Sequence, residues 1–180
     1  MKKYMFIVGV LIMGLSNMTA QVDAGFATVP VVNGKVVFEQ FILTDQGLSA
    51  NQKYAILQKW VKDKYTGSPL VSSIRFDDKN QSATVSARTE LAGVPENPVM
   101  NYRFDLSVAS AGCVLVVRDI TYQSAPKQGA SSFPKTITAE QTITDQAVSA
   151  PGEEGQIRSG TRKATLSFLN SLYKEVSGLF

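Results

Sequence analysis

The sequence predicts an α+β protein: a curved antiparallel sheet of about five strands with two helices packed on one face, in the order β-α-β-β-β-β-α. Three observations carry this expectation. Two segments repeat apolar residues at helical spacing, several others switch to alternation with period two, and the strand-to-strand connections are short and rich in turn formers, which makes neighbours antiparallel.

The elements follow in order. After a lead-in over Val22 to Asn33, Lys35 to Leu43 reads as a strand rich in Val, Phe and Ile, closed by a turn at Asp45 to Leu48. Ser49-Ala50-Asn51-Gln52 has the form of a capping box, in which Ser49 accepts from a first-turn amide and Gln52 reaches back. A helix follows, with Leu57, Trp60, Val61 and Tyr65 as its apolar stripe and Lys53, Gln58, Lys59, Lys62 and Asp63 mostly elsewhere on the wheel. Thr66-Gly67-Ser68-Pro69 ends it.

The period then changes to two. Leu70, Ser72, Ile74 and Phe76 fall on one face of a second strand, with Val71, Ser73 and Arg75 on the other, and Asp77 to Asn80 supplies a turn. Ala83, Val85, Ala87 and Leu91 alternate with polar residues as the returning arm. Beyond a loop at Gly93 to Pro98, Met100, Tyr102, Phe104, Leu106 and Val108 alternate with Asn101, Arg103, Asp105 and Ser107. Ala109 to Gly112 turns the chain into a fifth strand, Val114 to Tyr122. Strict alternation puts Cys113, Leu115 and Val117 on one side and Val114, Val116, Ile120 and Tyr122 on the other. Ser124 to Ala150 is thin in apolar residues and reads as a long loop with room for a short strand at Thr136 to Thr144. Gly152 to Gly178 is helical, with a stripe of Ile157, Thr161, Ala164, Phe168, Leu172, Val176 and Leu179; Glu153 and Glu154 near its start and Lys174 near its end suit the helix dipole.

Met1 to Ala20 reads as an export signal. Lys2 and Lys3 open it, an apolar run of about a dozen residues follows, short of the roughly 20 a membrane-spanning helix needs, and Ser16 to Ala20 turn small and polar. Cleavage after Ala20, or after Ala24, leaves a single domain over about residues 21–180; no cysteine stands near either cut to accept a lipid. Losing both lysines takes the formal charge from +3 to +1. The mature form is expected to be periplasmic or secreted and soluble, without a stable membrane span. Its interspersed charges and its export speak against nucleic acid as a partner.

The stretch Val29-Pro30-Val31-Val32-Asn33-Gly34-Lys35-Val36-Val37-Phe38-Glu39, the spacing from it to the helix bearing Trp60, and the order of elements downstream resemble an uncharacterised family of exported Bacteroidetes proteins, a domain of unknown function with a TATA-binding-protein-like fold. The resemblance implies a fold and a compartment, but no activity.

Histidine is absent and Cys113 is the single cysteine, so no internal disulfide forms. Cys113 lies in the apolar run Cys113-Val114-Leu115-Val116-Val117, where a buried thiol is expected and a nucleophile lacks an imidazole partner. Ser132-Phe133-Pro134-Lys135 matches Ser-x-x-Lys, but Pro134 disfavours the helix that would carry the lysine one turn after the serine. No cofactor motif or metal-ligand spacing is present. The uncovered sheet face is the candidate site: Arg75, Arg88, Arg103 and Arg118 are expected to line it, with Val116, Ile120 and Tyr122 as exposed apolar surface. The expected function is a non-enzymatic binding domain of the cell envelope that takes a protein or small ligand. The alternatives are a serine hydrolase using Ser132 and Lys135, and a small-ligand carrier with its site between sheet and helices.

Overall fold

The structure is a computed structural model that describes residues 25–95, 97–123 and 135–180. The export signal and Ser132 lie outside the described residues.

A small hairpin, β1 (Val31–Val32) and β2 (Lys35–Val36), turns through Asn33 and Gly34, both in the left-handed region. β3 (Phe38–Leu43) follows directly, so the first expected strand is two pieces broken at Val37. The capping box is present as read: Ser49 Oγ accepts from the Gln52 amide at 3.3 Å and Gln52 Oε1 accepts from the Ser49 amide at 2.8 Å. It starts α1 (Ala50–Tyr65), which carries the chain from one edge of the sheet to the other. There β4 (Val71–Asp77), β5 (Ser82–Glu90), β6 (Val99–Ala109) and β7 (Gly112–Gln123) form an antiparallel meander. β8 (Thr136–Thr138), α2 (Ala139–Thr142), α3 (Asp145–Val148) and α4 (Gly152–Ser177) complete the described chain.

The meander returns β7 to the side of β3, giving the order β3-β7-β6-β5-β4. β3 pairs with the first half of β7 and β8 with its last three residues, so both occupy one flank. Gly112 is required there: a Cβ would stand 2.0 Å from the Ile42 carbonyl oxygen in the facing strand. The long helices cover a single face. From the sheet that face contributes Phe38, Ile42, Val85, Met100, Phe104, Leu106, Leu115 and Val117, all essentially removed from water, against Leu57 and Val61 of α1 and Leu169 and Val176 of α4. The fold class is therefore the α+β arrangement expected.

Two bulges change which side chains face inward. In β4 one residue is inserted between Val71 and Ser73, so Val71 opposes Ala87 on the covered face, while Leu70 and Ser72 leave it. In β7 the insertion is Asp119, whose φ of 56° is left-handed; Arg118 opposes Arg103 but Thr121 opposes Asn101. The alternation shifts by one residue at that point. Ile120 and Tyr122 therefore join Val117 in the core at 3% and 4% exposure, and neither belongs to the open face where strict alternation puts them. The Tyr122 hydroxyl is satisfied by Thr165 Oγ1 of α4 at 2.9 Å.

The described part of the expected long loop is structured: β8, α2 and α3 bury Ala139, Thr142, Ile143 and Ala147. The strand there ends at Thr138 because Thr138 begins a helical turn. Lys53, placed on the polar side of its helix by the wheel, is buried, its ammonium donating to the Ser110 carbonyl at 2.8 Å. In α4 the inward stripe runs through Thr161, Thr165, Leu169, Leu172, Tyr173 and Val176, and Ile157 stays exposed. Ahead of the sheet, Asn170 clamps the chain through Phe26, accepting from its amide at 2.6 Å and donating to its carbonyl at 3.1 Å.

Candidate partner-binding face

The side of the sheet that no described element covers is built from the polar half of each alternation, and the register arranges it in rows. One row runs Arg75–Thr84–Asp105–Val116–Glu39 from β4 across to β3. The next runs Ser73–Ser86–Arg103–Arg118, and Arg88 lies beyond it, paired with Asn101. All four arginines of the sequence reading are thus on the open face, as is Val116.

They are not a uniform cationic surface. Arg103 and Arg118 are directly opposed across β6 and β7, a repulsive pairing unless carboxylates intervene. Asp105 and Asp119 do so. Arg118 Nε donates to Asp105 Oδ2 at 2.8 Å, Arg103 stands 3.8 Å from Asp105 Oδ1, and both guanidinium groups approach Asp119 at 3.7 to 3.9 Å. Thr84 Oγ1 donates to the other oxygen of Asp105 at 2.6 Å. The hydrogen bond that Arg118 donates to Asp105, set against some burial, raises the Arg118 pKa above its ordinary value. The same Asp119 bulge that turns Ile120 and Tyr122 inward supplies one of the two anions.

Replacing Asp105 by Ala leaves Arg103 and Arg118 opposed with only Asp119 between them. The pairs are partly solvated, so the expected loss is about 1 kcal/mol, shrinking in high salt as exposed ion pairs do. Denaturant melts of Asp105→Ala, Arg118→Ala and the double variant measure it; additive losses would show that the pair carries no coupling.

Arg75 and Arg88 stand apart, both exposed; among the described residues Arg88 reaches only the Pro69 carbonyl, at 3.4 Å. Beside Arg88 and Arg103 lies an open groove of about 540 Å³, also lined by Leu70, Ser72, Ser86 and Asn101.

The apolar part of this face is at the opposite corner. Phe41 and Leu43 of β3 point outward at 43% and 55% exposure, and Phe41 pairs with half-buried Val114, next to Val116 on the same face. Phe41, Leu43 and Val114 are absent from the expected set. Phe38, Gln40 and Ile42 alternate with Glu39, Phe41 and Leu43, so the strand is apolar on both sides, and the packing of the helices decides which side stays outside the core.

The remaining candidates for chemistry lie elsewhere. Cys113 is fully buried, and desolvation pushes its pKa up to about 11 despite the nearby Lys53 charge, so it is a thiol at neutral pH. Lys135 is exposed at the border of the described residues. Among the described residues no three His, Cys, Asp or Glu side chains come together as a metal site, and no helix is long and apolar enough to cross a membrane.

A six-stranded antiparallel sheet with long helices on one face is a TATA-binding-protein-like architecture. Solved structures share it. A TBP-like protein from Parabacteroides distasonis superposes with a TM-score of 0.72 at 20% identity, covering 84% of this chain and 96% of that one. A DUF4468 family protein from Bacteroides ovatus gives a TM-score of 0.67 at 20% identity, covering 84% of this chain and 89% of its own. No protein-family model matches the sequence, and no curated protein does. At this identity the likeness establishes the fold, which by itself names no activity.

Proposed function

We propose that this chain is an exported, non-enzymatic binding domain of the bacterial cell envelope, which holds a partner protein on its open sheet face. The observation that carries the reading is the apolar corner of Phe41, Leu43, Val114 and Val116 lying beside an arginine–aspartate network, on a sheet face that no described element covers. Apolar side chains with arginine beside them are the composition that protein interfaces favour. Neutralisation of Arg103 and Arg118 by Asp105 and Asp119 speaks against a surface that tracks phosphates. The segment Met1 to Ala20 supports the compartment.

Capture from the organism's own envelope fraction tests this, with the mature protein as bait beside its Phe41→Asp/Leu43→Asp variant. Both side chains are exposed, so the fold should survive, as circular dichroism will check. Wild type is expected to retain a defined partner that the variant loses, by about tenfold or more in recovery. Identical captures by both proteins would remove this face from consideration.

A further inference from the structure

At one edge of the sheet, a cleft of about 360 Å³ lies between the C-terminal parts of α1 and α4. Its sheet side is formed by Ala87 and Tyr102, a cross-strand pair in which alanine leaves the space that the larger Val85 fills further along β5. Tyr65 walls it from α1, and Phe168 and Leu172 from α4. The Tyr102 and Phe168 rings meet edge to face, with centroids 4.9 Å apart. The volume is that of a small-molecule site, and the lining has the expected mixture of aromatic surface and a few polar groups.

The polar groups are sorted by depth. Inside, burial raises the pKa of Tyr65 and Tyr102, the latter to about 12, so both hydroxyls stay protonated, and the two interact with each other. At the rim stand Lys64, Glu175 and Arg88. Lys64 and Glu175 form an ion pair from α1 to α4, which consumes the one carboxylate. Arg88 is exposed and, among the described residues, reaches only a distant carbonyl, so the described rim carries one positive charge.

We propose that this cleft binds a small amphiphilic acid, its planar apolar body against Tyr102 and Phe168 and its anionic group at Arg88. The cleft meets the groove of the open face at this edge of the sheet, where both are lined by Leu70, Arg88 and Tyr102, and its ligand enters between the C-terminal ends of the two long helices.

The probe is 8-anilinonaphthalene-1-sulfonate, a planar aromatic acid, with uncharged N-phenyl-1-naphthylamine as its neutral counterpart. Native protein is expected to bind the sulfonate saturably and one to one, with energy transfer from Trp60, whose ring lies 5.6 Å from that of Tyr65. Ala87→Leu fills the cleft from the sheet side, and Ser171→Phe, at an exposed rim position, blocks its mouth without touching the core. Each is expected to weaken binding at least about tenfold, Ser171→Phe with an unchanged unfolding midpoint. Arg88→Ala is expected to weaken the sulfonate about fivefold and the neutral probe hardly at all. Absence of saturable binding, fluorescence that grows only as the protein unfolds, or equal affinity in wild type and Ser171→Phe would overturn the site. Equal weakening of both probes by Arg88→Ala would overturn the acid.

Discussion

Phe104→Ala is expected to cost about 3–5 kcal/mol, a large share of the stability of a single domain. Phe104 is fully buried at the middle of β6, between Val85 and Val117 on the neighbouring strands. Its ring also organises the aromatic cluster beneath α1, with centroids 5.4 Å from Tyr65, 6.1 Å from Trp60 and 6.4 Å from Tyr102. Removing it deletes apolar contact and leaves a hole that rigid strands close only in part. Urea unfolding followed by the single tryptophan measures the loss, and the native emission of Trp60 should shift to the red as its neighbour disappears. A loss below about 1 kcal/mol would mean that the helix closes down on the sheet, contrary to tight packing here.

Alkali is expected to unfold the protein steeply above about pH 10, because four buried groups resist losing their protons. Desolvation raises the pKa of Cys113 to about 11 and of Tyr102 to about 12, and raises Tyr65 and Tyr122 as well. In the unfolded chain a cysteine releases its proton near pH 8.5 and a tyrosine near pH 10, so in that range the unfolded state binds fewer protons than the native one. Stability is complete below those values and falls as pH rises toward the native pKa. For Tyr102 alone the limit is about 3 kcal/mol at about 1.4 kcal/mol per pKa unit, and the other groups add to it. Circular dichroism against pH should place the transition near pH 11, and Tyr65→Phe with Tyr102→Phe should flatten it. A fold intact at pH 12, or a double variant with the wild-type profile, would show that these tyrosines reach solvent without unfolding.

The first expectation, and the part of the second that rests on Tyr102, concern residues whose inward direction was legible from alternation alone. Phe104 and Tyr102 lie in an unbroken run from Met100 to Val108, and a sheet covered on one side requires that pattern. Ile120 and Tyr122 were not legible, because a single left-handed residue, Asp119, exchanges inside for outside downstream of it. Aspartate adopts that conformation more readily than most residues, but nothing local distinguishes Asp119 from an aspartate in an ordinary strand. The candidate face divides in the same way. Arg75, Arg88, Arg103 and Arg118 followed from period two, whereas the neutralising role of Asp105 and Asp119 depends on strand register. Phe41 and Leu43 were hidden by the richness of their own strand.

The short elements after β7 illustrate a different limit. Ala139, Ile143 and Ala147 are too few to announce a helix by repetition, and they bury only because α4 and the end of β7 are already there to receive them. Lys53 is similar: its helix determines where its stem leaves the backbone, but the carbonyl of Ser110, 57 residues away, decides that the ammonium lies inside.

By itself, then, the sequence determined the order of elements, the capped start of α1, the single-sided sheet and its four arginines, since each depends on the chemistry of residues close along the chain. Tertiary structure alone decided the phase of β7, the ion network of the open face, its apolar corner and the cleft between the helices. These arise where strands in register and helices at a particular separation bring distant residues within a few ångströms, and no local period encodes that distance.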